Sequence, residues 1–528
     1  MKKIINTILI SCVLFTVSCI DDLNQMPQLD TTSATVYAEA SNYKMVLAKL
    51  YALYVTAGQE KGGANADLSS NMGYDYMRCY FNLQEAGTDE LASTWIEGDK
   101  IADLTYLTWD ASDPWVADMY YRLFYTIAVS NEFLRNATDD KIAGFTESEQ
   151  ADIRIFRAEA RFLRALAYYH AMDLYRNIPF VNENDPVGAY IPPRYTSIQI
   201  FDFIESELKD IEGTMLDKAS CEYGRAPKAA AWALLAKMYL NAEVYEAGNH
   251  YSDCVTYCKK VIDDGYSLEN DYAKLFNADN HLRNNEIIYA LVVDADHIVS
   301  WGTTTYLVCG EVSSSKDDSD YNPADYGVTS GWGMFRIRGE VPSLFTEGDS
   351  RALFFKEGQT LNIDNVADQT NGYLVTKWSN LTDAGEAASN TGADGVDTDY
   401  PMFRLGEIYL TLAEAVLRGG SGASIEEALG YVNALRQRAF GDAYETSGKL
   451  SVSDLSTNFI LDERARELFW ECSRRTDLIR FGKFTGDSYI WQWKGGLKDG
   501  TSVDSKYNIY PIPSSELTAN PNLSNENY

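Results

Sequence analysis

The chain has 528 residues, 45% hydrophobic and 23% charged, enough apolar material for a large core and too much for a disordered or collagen-like polymer. Its 77 acidic residues against 45 basic ones leave a net charge of −32, a field that repels phosphate backbones and argues against nucleic acid as a partner. Aromatic residues make up 13% of this acidic sequence, so aromatic surface is the compositional feature to follow.

Lys2 and Lys3 open the chain ahead of an apolar run from Ile4 to Val17, interrupted by Asn6 and Thr7, that closes on Ser18 and Cys19. Those are the charged, apolar and small-residue zones of a secretory signal, too short and wrongly flanked for a membrane span. Thr16-Val17-Ser18-Cys19 resembles a bacterial lipobox. Residues 1–18 therefore read as a lipoprotein signal peptide and Cys19 as the acylated first residue of a single domain, 19–528, tethered to a membrane. Asp21 and Asp22 stand where surface lipoproteins carry an acidic export tag.

After a Gly-rich, aromatic stretch at 58–110, helical periodicity takes over. Residues 151–174 carry a stripe through Ile155, Phe162, Leu166 and Tyr169, and Thr196 with Gln199 forms a capping box ahead of Phe201, Ile204, Leu208 and Ile211. Together they predict a helical hairpin. A second joins 228–247 to 251–264, the latter with Cys254 and Cys258 as small core residues on one face. A third joins 407–418, stopped by Gly419-Gly420, to a helix capped by Ser424 and Glu427. Between 280 and 400 the texture returns to Gly, Ser, Thr, Asp and aromatic residues, with strand-like runs at 287–293 and 303–309. The prediction is a mostly α fold: tetratricopeptide-like helix pairs forming a scaffold, with long loop and short-strand insertions around 58–110 and 280–400. Loops on a rigid scaffold are where binding groups sit.

Catalytic signals are sparse. His170, His250, His281 and His297 stand far apart, without HExxH spacing or a Cys/His cluster, so no metal site is predicted. There is no GxSxG, P-loop or GxGxxG sequence. The six cysteines beyond Cys19 are too scattered for a disulfide framework. Trp232 and Trp470 lie on periodic helices and are assigned to the core, while Trp491 and Trp493 flank a Lys-Gly-Gly turn and read as structural. Arg464, Arg466, Arg474 and Arg475, near Glu467, Glu471 and Asp477, read as helix-face ion pairs.

Several blocks resemble the SusD/RagB family of surface glycan-binding lipoproteins: AEARFLRALAYYHAMDLYRNIPF at 158–180, GRAPKAAAWALLAKMYLNA at 224–242, YPMFRLGEIYLTLAEA at 400–415, DERARELFWECSRRTDLIRF at 462–481 and YPIPSSELTANPNLSNENY at 510–528. TTYLVCG at 304–310, WQWKGGLKDGTSV at 491–503 and GTDE at 87–90 look like the wording of the family's starch-binding founder. The resemblance implies a helical body at the outer-membrane cell surface, no catalysis and no cofactor. It also implies starch or another oligosaccharide as ligand and a SusC-like TonB-dependent transporter as partner. Carried over residue by residue, it places Trp95, Trp301 and Trp332 on an aromatic arc that cradles the glycan, with Arg78 bonding sugar hydroxyls and Asp67 as the acidic partner. Trp301 stands where the starch binder has Tyr, and Gly98 where it has a hydrogen-bonding Asn.

The chemistry fits independently of the family. A pyranose has an apolar C–H face and a belt of hydroxyls, and indole offers a broad flat face with few rotamers to freeze. Beside this reading stand the same role for a different glycan, a peptide- or protein-binding surface lipoprotein with its groove between helix pairs, and a glycosidase built on two of the many carboxylates.

Overall fold

The computed structural model describes residues 32–60, 66–68, 75–312, 322–390, 392, 395–526 and 528. The predicted signal peptide and Cys19 lie outside the described residues.

The scaffold is helical, and its helices start and stop where local chemistry directs. In chain order the principal ones are α1 (Ala40–Ala52), α2 (Tyr76–Glu85), α3 (Pro114–Asn136), α4 (Glu147–Tyr175), α5 (Ser197–Ile211) and α6 (Lys228–Leu240). They are followed by α7 (Tyr251–Asp263), α8 (Thr303–Glu311), α9 (Leu405–Leu417), α10 (Ile425–Phe440), α11 (Thr457–Leu468) and α12 (Arg474–Arg480). The predicted capping box of α5 forms between Thr196 and Gln199, and α4 begins with another between Thr146 and Glu149. α9 ends as Gly419 turns to φ +95°, a left-handed value that suits glycine, and Gly420 N–H closes back on Ala415 O at 2.8 Å.

The three predicted hairpins form, with α4 packed on α5, α6 on α7 and α9 on α10, and they stack through α5 on α6 and α7 on α9. Cys254 and Cys258 are both sealed in that interface. Trp470 is fully buried, whereas Trp232 is only half-buried and its indole N–H donates to Glu212 at 2.7 Å. One connected apolar core runs from Tyr43 to Leu523.

The strands are short antiparallel pairs: β1 (Ala92–Ser93), β2 (Ile178–Pro179), β3 (Arg194–Tyr195), β4 (Ile287–Leu291), β5 (Phe335–Arg336), β6 (Phe354–Phe355), β7 (Leu374–Val375) and β8 (Tyr400–Arg404). β1 pairs with β5, β2 with β3, β4 with β8 and β6 with β7. The strand-like run at 287–293 is thus β4. The run at 303–309 is a helix, α8, and the loop-like stretch 58–110 contains α2. Both helices are buried on every side: α8 lacks the polar face that gives a helix its sequence period and its burial overrides a β-branched Thr-rich composition, whereas α2 carries a polar face of Arg78, Asn82 and Glu85 that is itself buried.

The arginines of α11 and α12 are not surface pairs. Glu467 accepts from Arg404 at 2.7 Å, from Arg351 at 3.0 Å and from Arg438, while Glu463 is bound by Arg351 at 2.9 Å, Arg436 at 3.0 Å and Arg466 at 2.7 Å. Arg464 pairs with Asp477 and Arg474 with Asp89. All of these side chains are buried. Burial alone would raise both glutamates, but the surrounding guanidinium groups overrule it: Glu467 is held well below the usual carboxylate range and Glu463 falls to about 2. Spacing along the helices shows who can pair, but it does not show that the pairs are sealed.

Candidate functional site

The decisive geometric question is whether three tryptophans from remote parts of the chain meet. Trp95 follows β1 and Trp332 precedes β5, so the pairing of Ser93 with Phe335 brings their segments together, extended by Thr94 N–H on Met334 O at 2.7 Å. The Trp332 segment is laid in turn against the end of α8, with Trp332 N–H on Cys309 O at 2.7 Å and Gly333 N–H on Val312 O at 2.8 Å. Gly331 is required there, because a Cβ would come within 2.3 Å of Val312 O. Trp301 sits in the turn that enters the other end of α8.

Arg78, on α2, joins all three segments. Its guanidinium donates to Trp301 O at 2.9 Å and to Asp99 at 3.2 and 3.3 Å, and it lies 5.6 Å from the centre of the Trp332 ring. Asp99 closes the turn that Trp95 opens, its N–H on Trp95 O at 3.1 Å. Beneath the guanidinium, 4.1 Å away, is the ring of Tyr306, whose hydroxyl donates to Asn82 at 3.0 Å. Trp115 adds an indole N–H on Asp99 O at 2.9 Å. The Trp301 turn is fastened again by Asp75, which caps α2 through Arg78 N–H and accepts from Ser300 Oγ. Burial raises Asp75 above the ordinary carboxylate range, opposed by the Ser300 and Arg78 hydrogen bonds.

Two indole faces stand out from this clasp, Trp95 at 39% exposed and Trp301 at 42%, while Trp332 is half-buried beside Arg78. Large exposed rings are uncommon on a soluble surface and mark contact sites. Arg78 itself is only 4% exposed and its charge is engaged with Asp99. Asp67 accepts from Lys49 Nζ at 2.6 Å, an ion pair with α1. Asp99, Tyr306 and Asp75 were not singled out from sequence. Only the Asp75 cap, standing directly before an aromatic helix, left a local signal.

Among the described residues no cluster of His, Cys, Asp and Glu is suited to a metal ion, and no helix is long and apolar enough to cross a membrane. Cys79, Cys221, Cys254, Cys258 and Cys472 are free thiols.

Comparison with known proteins identifies the architecture. A SusD family profile matches residues 296–528, and a profile described as starch-binding associating with outer membrane matches residues 28–240. The starch-binding protein SusD of Bacteroides thetaiotaomicron is 33% identical, over 97% of this chain and 96% of its own. The chain belongs to the SusD family. A SusD-like protein P25 of Formosa agariphila is 25% identical over 99% of this chain and 98% of its own. Among solved SusD-superfamily folds, one from Parabacteroides distasonis matches with a TM-score of 0.70 at 20% identity, covering 94% of this chain and 99% of that one. Surface glycan-binding protein A of Bacteroides thetaiotaomicron, in complex with laminarihexaose, matches with a TM-score of 0.69 at 17% identity, covering 92% and 99%. SusD-type glycan binding is thus the family's established setting for this fold.

Proposed function

We propose that the protein is a non-catalytic receptor for a starch-type α-glucan at the outer-membrane surface. In this reading it is one domain anchored by a lipid at Cys19, and it hands captured oligosaccharide to a TonB-dependent transporter. The observation that carries the reading is the joining of the Trp95, Trp301 and Trp332 segments at Arg78, which leaves two flat apolar faces in solvent. Starch as ligand is supported by the 33% identity to the starch-binding relative. Rings stacked on sugar faces displace little polar surface, so affinity per contact is low. A millimolar constant corresponds to only about −4 kcal/mol, and tethering plus repeated sugar units raise the effective capture.

The test is retention in a starch-containing native gel. Trp95→Ala, Trp301→Ala and Trp332→Ala combined should abolish retardation while the folded far-UV spectrum persists, and retardation equal to wild type would overturn the reading. Incubation with starch should release no reducing ends. A second reading, the same shelf serving a different glycan, is favoured by the laminarihexaose complex on this fold and predicts retention in a laminarin gel instead.

A further inference from the structure

Next to the shelf, a cavity of roughly 280 Å³ runs between α1 and the end of β4. Ala48, Ala52 and Val55 form one wall, Val292 and Ile298 the other. One end abuts the shelf: Thr303 Oγ1 reaches Val55 O at 3.5 Å, and Ile298 is three residues before Trp301. The other end is closed by Tyr223 and Gly224, which also line a second cavity of roughly 520 Å³. Within α1 the wall from Ala48 to Ala52 advances about 6 Å at the helical rise.

Tyr223 has the attributes of a platform. It is 38% exposed, and its hydroxyl donates to Asp399 at 2.8 Å, a carboxylate that also accepts Val293 N–H at 2.9 Å, so the ring is held from behind. Gly224, at φ +83°, allows Val292 to close against the turn, since a Cβ there would lie 2.6 Å from a Val292 methyl. Beyond Tyr223 the second cavity offers groups suited to hydroxyls. Asp264 Oδ2 is buried without a hydrogen-bond partner in the structure, and Lys218 lies 3.8 Å above the Tyr266 ring while donating to Gly265 O. The cavity's carboxylates, Asp217, Glu222 and Asp264, stand with Lys218 and Arg225, a mixed polar lining beside the Tyr223 and Tyr266 rings that suits neutral hydroxyl-rich chains.

We infer that the sugar-binding surface continues past Trp301 along α1 to a second platform on Tyr223, so that a long neutral glycan is held at two places on one face. The inference rests on the shelf reading and extends it to chain length. A short ligand occupies the shelf alone, and a polymer also reaches Tyr223.

The test compares maltotriose, by titration calorimetry, with soluble starch, by native-gel retardation. Tyr223→Ala should leave maltotriose affinity within about twofold of wild type and weaken starch retention about fivefold, the scale of one ring contact. Tyr223→Phe, which keeps the ring and loses only the hydroxyl, should retain starch as wild type does. Tyr223→Ala unchanged on starch, or weakened equally on both ligands, overturns the continuation. Retention that survives the triple tryptophan substitution overturns the shelf and the continuation with it, whereas retention lost there but intact in Tyr223→Ala overturns the continuation alone.

Discussion

The ionic centre beneath α11 and the aromatic shelf beside α8 reverse the usual placement of residue types. In the first, Glu467, Glu463 and five arginines are sealed from water. In the second, two indoles are left in solvent above a single buried guanidinium. The difference teaches what each tolerates. Every buried charge in the centre depends on its partners, so removing one group strands several. At the shelf the exposed rings stand over groups that fix the segments they belong to.

The comparison is broken most sharply at the centre. Glu467→Gln should cost about 3–5 kcal/mol, because Arg404, Arg438 and Arg351 would remain buried around a neutral side chain, and chemical denaturation measures the loss. At the shelf, Gly302→Ala would place a Cβ 1.9 Å from the Asp75 carboxylate. About 1–3 kcal/mol of stability should go, and starch retention with it, as the Trp301 turn is displaced. Gly98→Ala, on the exposed Trp95 turn with nothing within 4 Å, should change neither.

The smallest effect separates the two regions by pH. Glu463 is lowered to about 2 in the fold, so its contribution is present above the unfolded value near pH 4.3 and is lost as pH falls toward 2. Asp113 caps α3 next to Trp115, and burial raises it to about 7 against the N–H groups it accepts. Its contribution is complete below the unfolded value near pH 3.9 and is lost as pH rises through 7. Asp113→Asn should therefore flatten the decline in stability between about pH 4 and 7 and leave the acid limb untouched, as read from melting temperatures across that range.

What could be read from the sequence follows the same division. α5, α7 and α10 each bury one face, so an apolar stripe announces them, with caps at Thr196 and Ser424 for α5 and α10; α4 opens with the Thr146 cap, and α6 and α9, buried nearly all round, show as long apolar runs. The helical stripe of 228–247 overran, since α6 stops at Leu240 and the rest is turn. α8 is buried all round and left no stripe, and the polar stripe of α2 is short and set in a loop-like stretch, though these helices carry Arg78 and anchor Trp301 and Trp332. The three tryptophans came from family wording rather than from any local pattern. Their meeting depends on a two-residue strand pair and one buried guanidinium, long-range contacts that spacing does not encode. Arg78 and Asp67 came as ligand contacts from the family resemblance, and burial and ion pairing show that Arg78 is engaged with Asp99 and Asp67 with Lys49.

Arg78 grips the Trp301 segment by its carbonyl oxygen and the Trp95 segment through Asp99, leaving both indoles outside the grip. The carbonyl that Arg78 holds is present whichever residue occupies position 301. A lineage could retune which polymer it gathers, one aromatic swap at a time, while the backbone that presents it stays still.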